Sequence, residues 1–214
     1  MATQIPDYMQ VPDYTLEEEL IAAGLWPVAG VDEAGRGPLA GPVAAAAVIL
    51  DPRDLPAGLD DSKKLTPAAR DELFAVIMAK AHAVAVSFAS PAEIDGINIR
   101  AATLLAMRRS LAALCVAPRQ ALIDGDAMPA RLVCPARAIV GGDALCMSIA
   151  AASIVAKVMR DRLMTNLCRD FPQYGFSRHF GYATPAHREA LEKHGPSPFH
   201  RHSFAPVRAA LTRP

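Results

Sequence analysis

The chain has 214 residues, 52% of them hydrophobic, with 22 basic residues balancing 22 acidic ones. That is enough apolar material for one substantial core and excludes wholesale disorder, while the longest apolar run, residues 43–50, is too short to span a bilayer. The first ten residues lack the basic-then-apolar pattern of a signal peptide, and the four scattered cysteines form no CxxC pair, so the sequence predicts a cytoplasmic protein with buried reduced thiols and no membrane part.

Charge is segregated along the chain. Residues 1–50 carry seven acids against one base, Arg36, whereas residues 151–214 carry ten Lys/Arg against four acids and five of the six histidines. This suits a metal-binding site flanked by a phosphate-binding surface, and it equally suits solvated basic helix faces.

In chain order, residues 1–26 read as a leader, in which Pro6-Asp7-Tyr8 recurs as Pro12-Asp13-Tyr14 without a wider repeat. Thr15 with Glu18 forms the pattern of a capping box, and Gly24 stops the short helix it opens. Residues 28–33 and 43–50 read as strands close enough to pair as a hairpin. A helix begins at Thr66-Pro67 and runs to about residue 81, and a third strand follows over residues 83–90. Ser90-Pro91-Ala92-Glu93 starts another helix, and Leu104, Met107, Leu111 and Leu114 mark a helix over residues 98–114. Strands at 120–124 and 137–140 end at Asp124 and just before Gly141-Gly142. Ile149, Ala152, Ala156, Met159, Leu163 and Leu167 lie on one face of a long helix. Thr184-Pro185 opens a helix that Gly195 ends, and a last one follows Ser203. The predicted class is α/β, a mixed five-stranded sheet flanked by helices with a helical C-terminal extension.

Four carboxylates sit beside glycines or at strand ends: Asp32, Glu33, Asp124 and Asp143. One such residue is an ordinary turn aspartate, but the pattern repeats at three strand ends, where open α/β sheets place their sites. Converging carboxylates must share protons or bind cations, and an all-oxygen donor set favours Mg²⁺ or Mn²⁺ over zinc. Asp32 and Glu33 are neighbours, so regular β geometry points them to opposite faces. Either the strand breaks at Glu33 or that side chain reaches the site around an edge. Gly35-Arg36-Gly37 lacks the features of a nucleotide loop but allows close backbone approach to a ligand, which a β-branched residue at Gly37 is expected to block. Lys63 and Lys64 lie in a polar turn suited to phosphate. Lys157 and Arg160 lie on neighbouring faces of the long helix, as phosphate contacts or as surface charges. Tyr174 is either a ring presented to a sugar or a loop residue packed on the core.

The segment Ala29-Gly30-Val31-Asp32-Glu33-Ala34-Gly35-Arg36-Gly37-Pro38-Leu39-Ala40-Gly41-Pro42-Val43 resembles the opening signature of the ribonuclease HII family. Asp61-Ser62-Lys63-Lys64-Leu65, Asp124-Gly125, Gly142-Asp143, the block from Ser148 through Lys157, and Tyr174-Gly175-Phe176 are similar to its later blocks, in order. The resemblance covers residues 28–208 and implies a ribonuclease H-like catalytic domain over 27–170, with a helical extension over 171–214 that contributes to nucleic-acid binding. It implies a two-metal endonuclease, with Asp32, Glu33, Asp124 and Asp143 on the Mn²⁺ or Mg²⁺ ions. Its implied partners are RNA–DNA hybrid and ribonucleotide-containing duplex DNA, and it implies a monomer. Gly35, Arg36 and Gly37 would read a ribose 2′-hydroxyl, Tyr174 would pack on the next deoxyribose, and Lys63, Lys64 and Lys157 would bind the backbone. Cleavage 5′ of the ribonucleotide would leave a 5′-phosphate and a 3′-hydroxyl. Asp126-Ala127, Leu145-Cys146, Met159 and Phe180 depart from the family's habit, without touching the carboxylates. A DNA nuclease of the same fold and a nucleic-acid-binding module are the rival readings; the Gly35-Arg36-Gly37 block argues against the first and four intact carboxylates against the second.

Overall fold

The computed structural model describes residues 11–211, so the first copy of the Pro-Asp-Tyr repeat lies outside the described residues. The five expected strands form one sheet: β1 (Val28–Ala34), β2 (Val43–Ile49), β3 (Ala83–Ala89), β4 (Gln120–Asp124) and β5 (Ala136–Ile139), in the order β3-β2-β1-β4-β5. The first three are antiparallel neighbours, and β4 and β5 add in parallel on the other side of β1.

β2 explains how the layers stack. All seven of its residues are buried. Val43, Ala45, Ala47 and Ile49 join the core on the side of α4 (Ile99–Ala112), while Ala46 and Val48 join the core on the side of α5 (Met147–Asp170). This is the period-two alternation of a strand covered on both faces. The small alanines let both helices lie close. Contact is tightest at Gly30, where a Cβ would stand 2.1 Å from the main-chain carbon of Ser148. No side chain fits there, so β1 and the start of α5 are fixed against each other next to Asp32.

Local signals account for several helix starts. The Thr66 hydroxyl accepts from the Ala69 N–H (3.2 Å) at the head of α2 (Pro67–Lys80), and Ser90 and Glu93 cap α3 (Pro91–Ile97) reciprocally. The expected capping box at Thr15 does not form. Helix α1 (Thr15–Ala22) starts one residue earlier than that box requires, with Tyr14 at the cap and the Asp13 carboxylate accepting from the Thr15 N–H at 2.9 Å.

The described part of the expected leader is built into the fold. Asp13 pairs with the backbone at Leu145 and Met147, and the buried Glu17 Oε1 accepts from Ser148 N–H (2.9 Å) and Oγ (2.6 Å) at the start of α5. Glu17 thus supplies from α1 the capping oxygen that Cys146 does not provide. Beyond α5, the chain forms α6 (Phe176–His179), α7 (Pro185–His194) and α8 (Ala205–Leu211) around a buried set of rings: Tyr174, Phe176, His179, His187 and His200. Among the described residues, no helix is long and apolar enough to cross a membrane. The cysteines are unpaired as expected, but only Cys146 is buried.

Candidate active site

The β1–β4 ladder ends at the pair Val31–Ile123, while β1 continues beside β2 to Ala34 and β4 continues beside β5 to Asp124. The carboxyl ends of two parallel strands therefore each present an aspartate at the same level. Asp32, Glu33 and Asp124 bring carboxylate oxygens within 4.8 Å of one another. Pairing with β2 is unbroken through Ala34, so the strand does not break at Glu33. Glu33 faces the α4 side, in a hollow of about 170 Å³ that it shares with Arg36, Arg100, Thr103, Asp124 and Asp126, and meets the cluster beyond the end of the β1–β4 ladder.

Asp143 stands beside this trio on a 3-10 turn, Gly142–Ala144, that leads into α5. The turn is held to the site because the Gly142 N–H donates to Asp124 Oδ1 at 2.7 Å. Asp143 itself pairs with Lys63, Nζ to Oδ2 3.2 Å, and the same ammonium lies 3.6 Å from Asp61.

Electrostatics show the cost of this arrangement. Burial, followed by the charges of Glu33 and Asp124, pushes the Asp32 carboxyl well above its usual range. Burial and then Asp124 raise Glu33, with Arg36 relieving part of the effect, and burial and then Asp143 raise Asp124. Lys63 is moved the opposite way in charge terms: burial would lower it, but Asp143 and Asp61 outweigh that and hold it firmly as a cation. Carboxylates at close range, only partly offset by the Lys63 ammonium and by Arg36 at 3.5 Å from Glu33, fit a centre that takes hard divalent cations.

Next to the cluster runs the Gly35-Arg36-Gly37 turn. Gly35 has φ +93°, and a Cβ on it would lie 1.9 Å from Arg160 Nε. A Cβ on Gly37 would meet only Tyr182 Cε1, at 3.8 Å. The glycine that the fold itself demands is therefore Gly35, whereas the space at Gly37 lies open on the side where a ligand would approach.

The expected sugar-packing ring is also corrected. Tyr174 is 4% exposed, stacks on Phe176 at 5.3 Å and donates its hydroxyl to Gly195 O at 2.8 Å. It is the core-packed alternative. The exposed ring beside Gly37 is Tyr182, 44% accessible. A local signal was present in the sequence, since Gly181-Tyr182 is a ring beside a glycine just before the Thr184-Pro185 helix start.

The basic surface is smaller than charge counting implied. Arg160 and Arg201 are fully buried, which removes Arg160 as a phosphate contact. Lys157 is paired with Asp161 at 2.8 Å, and its ammonium lies 5.0 Å from the centre of the Phe180 ring. Lys64 pairs with Asp60 at 3.4 Å, and Asp126 lies 3.7 Å from Arg100.

A mixed sheet with carboxylates at the ends of adjacent parallel strands defines a nuclease of the ribonuclease H-like class. The model of the family "Ribonuclease HII" matches residues 29–207. The chain is 54% identical to a ribonuclease HII of Mesorhizobium japonicum, over 96% of this chain and 90% of that one, and 52% identical to one of Brucella abortus, over 96% and 94%. Its fold matches the ribonuclease H2 of Pyrococcus horikoshii with TM-score 0.72 and 30% identity, covering 86% of this chain and 96% of the other. The chain belongs to the ribonuclease HII family, and it is a metal-dependent endonuclease acting on RNA–DNA hybrids.

Proposed function

We infer that the enzyme cuts the RNA strand of hybrids and also incises duplex DNA on the 5′ side of an embedded ribonucleotide, by a two-metal mechanism. The observation that carries this reading is the convergence of Asp32, Glu33 and Asp124 within 4.8 Å, next to a turn whose backbone is open to a ligand. Mn²⁺ or Mg²⁺ held by these residues and Asp143 would activate the attacking water and stabilise the leaving 3′-oxygen. The solved structure of Bst-RNase HIII in complex with Mn²⁺ shares the fold at TM-score 0.73 and 22% identity, covering 90% of this chain and 72% of that one.

In this reading Gly35, Arg36 and Gly37 receive the ribose 2′-hydroxyl, which can both donate and accept. Tyr182 takes the place given to Tyr174 as the ring against the neighbouring sugar. Lys63, 78% exposed along its side chain, and Lys64 meet the phosphate backbone, with Lys157 a weaker contributor because its side chain is only 21% exposed and its ammonium lies over the Phe180 ring. The catalytic unit spans residues 27–170, residues 171–214 complete the nucleic-acid surface, and the enzyme acts in the cytoplasm as a monomer. The test is a nicking assay on a labelled duplex with one ribonucleotide, beside an all-DNA duplex and a continuous hybrid, with chelator and with restored Mg²⁺ or Mn²⁺. Cleavage on the 5′ side of the lone ribonucleotide, only with metal, supports the reading. An intact single-ribonucleotide duplex beside a degraded hybrid overturns it.

A further inference from the structure

Two arginines, 41 positions apart, are both fully buried at the base of the turn that follows β1. Arg201 donates from Nε to Gly41 O (2.9 Å), from one terminal nitrogen to Arg36 O (2.7 Å) and from the other to Gly35 O. Arg160 donates to Pro42 O (3.0 Å), Phe180 O (3.0 Å) and Ala40 O (3.1 Å). All six bonds end on main-chain carbonyl oxygens. A guanidinium normally pairs with a carboxylate or phosphate when buried, because an unpaired buried charge is costly. Burial, then the neighbouring charge of Arg160, lowers Arg201 to about 9, still a cation at neutral pH.

The direction of these bonds fixes the direction of the peptides. In a trans peptide, C=O and N–H point opposite ways. With the Gly35 and Arg36 carbonyls drawn inward onto Arg201, the N–H groups of Arg36 and Gly37 point outward. Among the described residues, neither N–H donates a hydrogen bond. Gly35 rests directly on Arg160, which leaves the turn no room to rotate inward.

We propose that Arg201, backed by Arg160, is a positioning residue for substrate selection: it turns the Gly35-Arg36-Gly37 peptides so that two main-chain donors face the sugar being read. The two buried positive charges also lie behind that pair of donors, adding to their pull on an oxygen atom. This rests on the 2′-hydroxyl reading above and deepens it, because it assigns the discrimination to side chains that never touch the nucleic acid.

The experiment measures binding to a duplex with one ribonucleotide and to the identical all-DNA duplex, in an Asp124→Asn background whose cutting is slowed and within a time short against the cutting that remains. In that background Arg201→Lys keeps the charge but cannot reach three carbonyls at once. It is expected to weaken binding to the ribonucleotide duplex about tenfold or more, the scale of one lost charge-reinforced hydrogen bond, while leaving binding to DNA unchanged. Equal binding of the two duplexes before Arg201 is altered would refute the 2′-hydroxyl reading itself. Discrimination present there but retained in Arg201→Lys would refute only the positioning role. If Arg201→Lys fails to fold, the same question is put to the unaltered chain by amide NMR. The Arg36 and Gly37 N–H resonances should shift on adding the ribonucleotide duplex and stay in place with the all-DNA duplex. Identical shifts with both duplexes overturn the proposal.

Discussion

The sheet end and the C-terminal helical part both bury polar groups, but they finish them differently. At the sheet end, Asp32, Glu33 and Asp124 are pushed together with like charges and too little opposing charge. In the C-terminal part, every buried side-chain polar group of the described residues has its partner inside the chain. Arg160 and Arg201 end on carbonyls, and the histidines form a chain. His187 Nδ1 donates to Tyr182 O (2.9 Å), so its Nε2 accepts from His200 Nε2–H (3.0 Å), and His200 Nδ1 accepts from the Ser197 N–H (2.9 Å). An unfinished buried network marks a place where something from outside completes the protein, whereas a finished one marks scaffold.

The sharpest contrast comes from deleting one charge in each region. Arg160→Met removes the donors of three buried carbonyls, and stability in urea denaturation should fall by about 3 kcal/mol or more. Asp124→Asn should lower turnover about 10²-fold or more, the equivalent of about 2.7 kcal/mol of barrier. Measured in chelator, the same variant should melt higher than the parent, because it removes part of the repulsion that raises Asp32 and Glu33. A lower melting temperature would mean that the carboxylates are as well satisfied as the arginines, and the comparison would fail.

Acidity separates the regions by sign. Burial, then His187, lowers His200 from its ordinary 6.5 to about 3. The unfolded chain therefore takes up a proton near 6.5 that the fold refuses, so this contribution to stability is full above pH 6.5 and is lost as pH falls toward 3. Asp32 runs the other way: its folded carboxyl titrates above the unfolded value of 3.8, so its penalty is relieved as pH falls through the raised value. Melting curves in chelator should show His200→Gln flattening the acid-side loss, and Asp32→Asn removing the acid-side gain. Matching slopes for parent and both variants would contradict the assignment.

The smallest effect concerns the surface between the two regions. Lys63→Met should reduce the slope of log affinity against log salt by about one unit, whereas Lys157→Met should change it by less, since Lys63 is exposed while Lys157 is mostly covered, held by Asp161 beneath the Phe180 ring. An equal loss for both would show that Asp161 releases Lys157 on binding.

Much of the sheet end was legible in the sequence, because its signals are local. The uninterrupted apolar run along 43–50, helix starts at Thr66-Pro67 and Ser90-Pro91, and carboxylates closing apolar runs are all read from adjacent residues. The failures involve residues whose partners lie far along the chain. Arg160 on a helix has the same local pattern whether it faces water or a buried carbonyl 120 positions away. Tyr174 and Tyr182 both stand on turns, and only packing separates the covered ring from the accessible one. At Thr15 the capping pattern lost to the Asp13 carboxylate, which reached the same N–H first.

The Arg201 bonds also impose an order on the making of the enzyme. Gly35 and Gly41 are joined to a residue 166 and 160 positions later. All four carboxylates have been synthesised once Asp143 emerges, long before Arg201 exists. A growing chain, or one that ends early, therefore carries the cutting residues before it carries the arginine that sets the turn beside them. Since chains fold from the N-terminus as they are made, the power to cut is assembled first and the ability to choose comes last.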